Sequence, residues 1–162
     1  MSISIDEEPF SLQVAAEILP LAQKGWDEST LIKQGTCAYF GARAFSIEPD
    51  VERYTELAAQ GLLLLMTLRD DTILQGYLLG LTYRSLHHKR ILCGIADALY
   101  VQPDYRAYTT LMAEKFEAAM RGREVEIIGW PTHIEGPVYE VLKARGYVGD
   151  DIVMEKRLCV SH

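Results

Sequence analysis

The chain is poor in cysteine. Its 162 residues include three, Cys37, Cys93 and Cys159, far apart and odd in number. That spacing makes neither a disulfide framework nor a metal pattern, and it fits reduced thiols in a cytoplasm. Long apolar runs are missing too. The longest near-apolar stretch, Gly61 to Leu68, is strand-sized, and nothing approaches the roughly 20 residues that cross a bilayer. No membrane partner is expected. The start "MSISIDEEPF" has no basic n-region and no apolar h-region, so no signal peptide is expected. Positive charge is in deficit: 16 Lys and Arg stand against 23 Asp and Glu, a formal charge of −7. Phosphate neutralisation needs clustered cations, so no nucleic-acid partner is expected, although a local basic patch remains compatible. There is no repeat and no low-complexity tract.

What is present suits one soluble domain over residues 1–162. Apolar residues make up 49% and charged residues 24%, and the length suffices for one core. "SISI" reads as a short edge strand. "SLQVAAEILPLAQKGWDEST" has helical spacing at Val14, Ile18 and Leu21/Ala22, with a break or fresh start expected at Pro20. "GTCAYFGARAFSIEPD" alternates loosely. "PDVERYTELAAQG" reads as a helix with Pro49–Asp50 at its start, Tyr54, Leu57 and Ala58 on one face, and Gly61 or the residue before it as the stop.

Three strands follow, at 62–68, 73–83 and 91–101. The first is apolar throughout, as in a strand covered on both faces. Short connections between them predict antiparallel pairing. A helix after Arg106 carries Leu111, Met112, Phe116, Ala119 and Met120 at helical spacing and ends near Gly122. "EVEIIGW" (124–130) is a strand; a strand–helix–strand crossover implies that it runs parallel to the third. "GPVYEVLKARGY" is a helix, with Pro137 in its first turn and Gly146 past its end. "DIVMEKRL" (151–158) is a last strand. The order predicts an α+β fold with a mixed, mostly antiparallel sheet flanked by helices.

The stretch "ALYVQPDYRAYTTLMAEKF" (98–116) sets an arginine and two threonines between a strand and a helix. Backbone N–H groups at a helix start lack intrahelical partners, and the helix dipole adds partial positive charge. A phosphate fits there, and Arg106 can add a charge-assisted contact. Pro103 stops strand pairing, which frees the strand end for a ligand. The same residues also fit a plain loop with a threonine N-cap and a solvated Arg106. His87 and His88 sit in a polar connection without an acidic third ligand, so no metal site is expected. Trp26, Tyr39, Phe40 and Trp130 read as core.

The run "Val101-Gln-Pro103-Asp-Tyr105-Arg106", together with the order of elements over residues 50–158, resembles the GNAT N-acetyltransferase superfamily. There a strand ends in Val-x-Pro-x-x-Arg or Gln and a glycine-rich turn opens the next helix. "PDVERYTELAAQGLLLLMTLRDDTILQGYLLG" is similar to the region leading to that family's central hairpin. "LKARGY" is similar to its closing Gly-Phe motif, and "SLHHKRILCGIADALYVQPDYR" to a subset often encoded in bacteriophage and prophage genomes. The resemblance implies a GNAT-like fold and direct acyl transfer from an acyl-CoA, usually acetyl-CoA, to a primary amine of a small molecule or a protein; homodimers are common in such families. It implies that the pantetheine arm lies along Leu99, Tyr100 and Val101. It also implies that the diphosphate rests on the amides after Arg106, namely Ala107, Tyr108, Thr109, Thr110 and Leu111. A backbone N–H near Val101 would stabilise the oxyanion.

By the same resemblance, the general base falls on Asp97, whose burial in mid-strand would raise its pKa into a useful range. Its alternative is a solvent-facing or arginine-paired carboxylate. His133 lies where the acyl group would sit and has a pKa suited to proton transfer; it fits a loop residue equally. Tyr139 lies one turn before the family's acid tyrosine position, which here is Leu142, and fits a packed side chain equally. Trp26, Asp27 and Glu28 fall on the acceptor side. Two departures stand out: the loop has no glycine, with Thr109 and Leu111 at the glycine places, and Leu142 replaces the tyrosine. The Thr109 and Thr110 hydroxyls would compensate as donors, whereas Leu111 would crowd a diphosphate. The rival reading is a GNAT-shaped interaction or CoA-binding protein without turnover.

Overall fold

The computed structural model describes residues 2–28, 47–131 and 137–149, which fall into two compact units. The first unit comprises Met1–Ala22 and Pro49–Pro131. Its centre is a five-stranded sheet in the order β1-β2-β3-β4-β5. The strands are β1 (Ile3–Glu7), β2 (Leu63–Asp70), β3 (Ile73–Arg84), β4 (Leu92–Val101) and β5 (Ile127–Gly129). The first four pair antiparallel with their neighbours, and β5 runs parallel to β4. This is the mixed, mostly antiparallel sheet that the connections imply.

Two apolar layers sandwich the sheet. On one face, helix α1 (Leu12–Glu28) brings Val14, Ile18 and Leu21, and helix α2 (Val51–Ala59) brings Tyr54, Leu57 and Ala58, against Leu63, Leu65, Tyr77, Leu79 and Tyr100. On the other face, helix α3 (Thr109–Gly122) packs Met112, Phe116 and Met120 against Leu64, Met66, Leu68, Leu78 and Ala96. Alternate residues of β2 serve opposite layers, Leu64, Met66 and Leu68 one and Leu63 and Leu65 the other, which is why its first half is a continuous apolar run. Trp130 joins the α3 layer, its ring edge-on to Phe116 at 5.5 Å.

Several helix limits follow the sequence. Asp50 caps α2, its carboxylate accepting from the Arg53 N–H at 2.9 Å, and Gly61 takes the left-handed conformation after the helix. Other limits do not. Pro20 breaks nothing: α1 continues through it to Glu28. The lost bond would have ended on the Ala16 carbonyl, and both residues lie on the solvent side where water serves that carbonyl. Val14, Ile18 and Leu21 hold the helix across the defect. Helix α3 does end at Gly122, as expected, and a Schellman turn follows it, with Val125 N–H donating to Met120 C=O and Glu124 N–H to Arg121 C=O. The left-handed residue is Glu124, at φ 64°, rather than a glycine. The expected strand 124–130 shrinks to three residues because this turn consumes its start. Leu111 leaves the core stripe and is 43% exposed; Ala113 is buried instead.

Edge strand β1 is guarded. The Glu8 N–H donates to Leu65 C=O and the Asp71 N–H to Ser2 C=O, so the even residues of β1 face β2 and the odd ones face outward. The Lys115 ammonium donates to the outward Ile5 carbonyl, which blunts that edge. Arg69 ties the sheet to α1, with two N–H bonds to Glu8 and one to Glu17 at 2.7 Å.

The second unit comprises Gln23–Glu48 and Thr132–His162. Within it the Ile47 N–H donates to Gln23 Oε1 at 3.0 Å. Helix α4 (Pro137–Ala144) ends in a Schellman turn at Gly146, φ 85°, with Tyr147 N–H donating to Leu142 C=O. Residues 29–46 and the expected strand 151–158 lie outside the described residues.

Gly80 on β3 explains the close seating of α3. A Cβ there would stand 2.4 Å from Phe116 Cε2 and 2.7 Å from Met120 Cε, both fully buried. Gly80→Ala is therefore expected to destabilise the fold by about 1–3 kcal/mol through overpacking, measured by urea unfolding. Gly122→Ala, with open space around its Cβ, is expected to be neutral or stabilising by up to about 1 kcal/mol.

Candidate active site

The site is organised by β4. Its pairing with β3 runs the whole strand, from Leu92 opposite Arg84 to Val101 opposite Gly76. Its pairing with β5 covers only Cys93, Gly94 and Ile95. Beyond Ile95, no described strand lies on that side of β4. The bond from Gln102 N–H to Gln75 C=O fixes the alternation in the C-terminal half. Residues 98 and 100 then bond β3, while Leu99 and Val101 turn their N–H and C=O groups to the side that β5 does not reach among the described residues.

Between the two halves sits a β-bulge. Gly80 pairs with Ala96 and Leu79 with Ala98, so Asp97 is the extra residue. The bulge reverses the side-chain parity: Ala96, Leu99 and Val101 pack in the α3 layer, whereas Ala98 and Tyr100 pack in the α1–α2 layer. It also corrects the expectation of a buried Asp97. The side chain is exposed, because the bulge lifts it out of the pleat. Its partner is no arginine: the Tyr54 hydroxyl of α2 donates to Asp97 Oδ2 at 2.7 Å.

Tyr54 and Tyr77 take their properties from this place. Burial raises the Tyr54 phenol well above its usual range, and the Asp97 bond and charge add to it. Burial, then the Asp97 charge, pushes Tyr77 up to about 12. Phe10 tilts against Tyr54 with ring centroids 5.8 Å apart. Nothing in the sequence separates Tyr54 from an ordinary core tyrosine; its position on the apolar face of α2 hid a hydroxyl that reaches β4.

The segment after β4 is not an open loop. Pro103–Tyr108 form a 3-10 helix that runs directly into α3. Proline suits the first turn of such a helix, since its missing N–H would be an orphan there. The expected cup of free amides is therefore not there: residues 107–111 lie inside a continuous helix, past its first turn, where backbone N–H groups are used by the helix itself, as the Thr109 N–H is by Arg106 C=O. Arg106 is exposed, and its Nε lies 3.5 Å from the outward Val101 carbonyl. Ala107 and Thr110 are exposed, and Tyr108 and Thr109 half-buried.

Leu111, the suspected obstruction, lies on another side. With Tyr108 and Lys115 it lines a groove of about 350 Å³ against Ile3, Ser4, Ile5 and Asp6 of β1. A larger cleft of about 630 Å³ lies between α2 and the β1–α1 link, with Phe10, Leu63 and Leu65 on its walls. Neither cleft is lined by Asp97 or by the end of β4.

The other expected residues lie on other elements. Tyr139 is half-buried in α4 of the second unit, close to Gly149, and Leu142 is buried. Trp26 is half-buried, and Asp27 and Glu28 are exposed, at the end of α1. His87 and His88 are exposed in the β3–β4 connection. His133, Tyr39, Phe40, Cys37 and Cys159 lie outside the described residues; Cys93 is a buried free thiol.

A five-stranded mixed sheet whose β4–β5 pairing ends at Ile95, with two helices on one face and one on the other, is a GNAT-like α+β fold. Solved acetyltransferases share it. A soil-metagenome aminoglycoside acetyltransferase in complex with trehalose superposes with a TM-score of 0.69 at 12% identity, over 98% of this chain and 97% of that one. A predicted acetyltransferase from Clostridium acetobutylicum, solved with acetyl-CoA, gives a TM-score of 0.68 at 14% identity, over 96% of each chain. The ribosomal-protein-alanine N-acetyltransferase of Brucella melitensis gives 0.59 at 14% identity, over 99% of this chain and 100% of that one. No protein-family model matches the chain, and no curated protein matches it in sequence.

The tyrosine cluster predicts a pH response. A phenol raised in the folded state stays protonated between its unfolded pKa, about 10, and its folded one. The folded protein then holds more protons than the unfolded, so stability falls as pH rises through that window. Urea unfolding between about pH 9 and 11 is expected to show that decline for the wild type. A shallower decline is expected for Tyr54→Phe, and a shallower one still for the double variant with Tyr77→Phe.

Proposed function

We propose that the protein is an acyl-CoA-dependent N-acyltransferase that uses acetyl-CoA as donor and an amine as acceptor. The observation that carries this reading is the edge of β4: the Leu99 and Val101 backbone groups face a side where β5 has stopped, and the strand leads straight to Arg106. An extended amide-bearing chain can add to that edge as a strand would. Arg106 and the Thr109 and Thr110 hydroxyls then stand where a diphosphate needs donors. The acetyltransferase neighbours support the same reading at the level of the fold.

The reaction needs a neutral amine. Asp97, exposed at the bulge, accepts the amine's proton directly or through water. The amine nitrogen attacks the thioester carbon, and the carbonyl electrons move to oxygen, where the Val101 N–H stabilises the charge. Collapse expels the CoA thiolate, which takes a proton from Tyr139 or from water. Tyr54 fixes the Asp97 carboxylate by one oxygen and leaves the other for the amine. His133 is the alternative base. Most of the acceleration comes from holding amine and thioester together.

Acetyl-CoA is expected to raise the melting temperature by roughly 5–10 °C at a hundred times its Kd. No shift at millimolar cofactor favours the rival, a GNAT-shaped interaction protein. In a screen of amines with labelled acetyl-CoA, Asp97→Asn is expected to cost about a hundredfold in kcat or more, and His133→Ala far less. Equal losses reject Asp97 as the base.

A further inference from the structure

Asp70 closes β2. It is 9% exposed, and burial of a carboxylate is costly unless its oxygens are bonded. One oxygen is: the Tyr105 hydroxyl donates to Asp70 Oδ2 at 2.7 Å. The other, Oδ1, is buried with no hydrogen-bond partner among the described residues. A half-satisfied buried acid is an expensive way to end a strand.

Tyr105 sits inside the 3-10 helix, immediately before Arg106. Such a helix has three residues per turn, so residues three apart share a face. Tyr105 and Tyr108 form one face, and both pack against the α3-side core. Pro103, Arg106 and Thr109 form another. Fixing Tyr105 inward therefore aims Arg106 outward. The backbone of this segment is tied at its start, by Gln102 N–H to Gln75 C=O and by Tyr105 N–H to Gln102 C=O, both 2.9 Å. Within the helix the Tyr105 hydroxyl adds a side-chain tie, and it ends two strands away, on β2. The Asp70 bond also raises the Tyr105 phenol, which keeps it a donor.

We infer that Asp70 and Tyr105 are positioning residues, a strut from β2 that holds the 103–108 helix, and with it Arg106, in the shape that receives the diphosphate of the cofactor. This rests on the acyl-CoA reading above. The strut touches no reacting atom, so it acts on cofactor binding and not on the chemical step.

The test compares two donors on the full chain. Tyr105→Phe keeps the ring and removes the hydroxyl. It is expected to raise KM for acetyl-CoA about tenfold while leaving kcat unchanged. KM for S-acetyl-pantetheine, which lacks the diphosphate, stays at the wild-type value. Asp70→Ala behaves like Tyr105→Phe, whereas Asp70→Asn, whose amide oxygen still accepts from the phenol, is rescued to within about twofold of wild type. Equal losses with both donors, or none with either, overturn the inference and leave the proposed function standing. Amide hydrogen exchange without cofactor gives an independent readout: faster exchange in Tyr105→Phe confined to residues 104–110 supports the strut, and unchanged exchange there overturns it. A wild type that neither binds nor turns over acetyl-CoA overturns the proposed function and the diphosphate role together; exchange then decides only whether the strut holds the turn.

Discussion

The structure depends on the unequal pairing of β4. Backbone N–H and C=O groups seek partners; among the described residues β4 pairs along its whole length on the β3 side but only as far as Ile95 on the β5 side. One residue, Asp97, is bulged out between its halves. Without that bulge Tyr100 and Val101 would each turn to the opposite layer. The bulge thus does two things at once. It keeps both cores filled, and it lifts the one carboxylate in an apolar strand to the surface beneath the Tyr54 hydroxyl.

Helix α3 carries the same constraint to the other end of the site. It is pressed to the sheet where Gly80 makes room for Phe116, and it is stopped by the Schellman turn at Glu124. Arg123 then holds its end to the carbonyl of Leu63 and the carboxylate of Glu7. Its first turn is continuous with the 3-10 helix that carries Arg106. A helix fixed this firmly leaves its N-terminal approach little freedom, so the position of Arg106 is set by packing at Phe116 and Met120 as well as by the strut at Tyr105.

Much of this was legible in the residues. The apolar run of β2 gave its double burial, the face Tyr54–Leu57–Ala58 gave the seat of α2, and the crossover gave the parallel β5. The misses share a cause: each depends on a partner distant in sequence. Pro20 signals a break only if its orphaned carbonyl is buried, and here the solvent side is fixed by β2 and β3. A bulge at Asp97 follows from the register against Leu79 and Gly80, and no local pattern encodes register. The 3-10 helix is tied to Asp70, 35 residues away, through the Tyr105 hydroxyl. Leu111 looked like core because 111 and 112 both suit an apolar stripe, and only the position of the sheet selects Met112.

For an acidic chain to hold an anion, as proposed, would be less of a contradiction than the total charge implies. At physiological salt, charges interact freely only within about 8 Å, so a formal charge of −7 weighs against a long polyphosphate surface, which samples many residues, far more than against one diphosphate, which samples a few. The exposed face of the 3-10 helix offers Arg106 beside the Thr109 and Thr110 hydroxyls. The nearest acids are turned away or engaged: Asp70 is buried under Tyr105, and Asp104 belongs to a different face of the helix from Arg106. Placement, then, and not composition, decides which anions this surface can accept. The same placement explains why a loop without glycine need not be closed to phosphate, since the side chain that would obstruct it, Leu111, is directed toward β1.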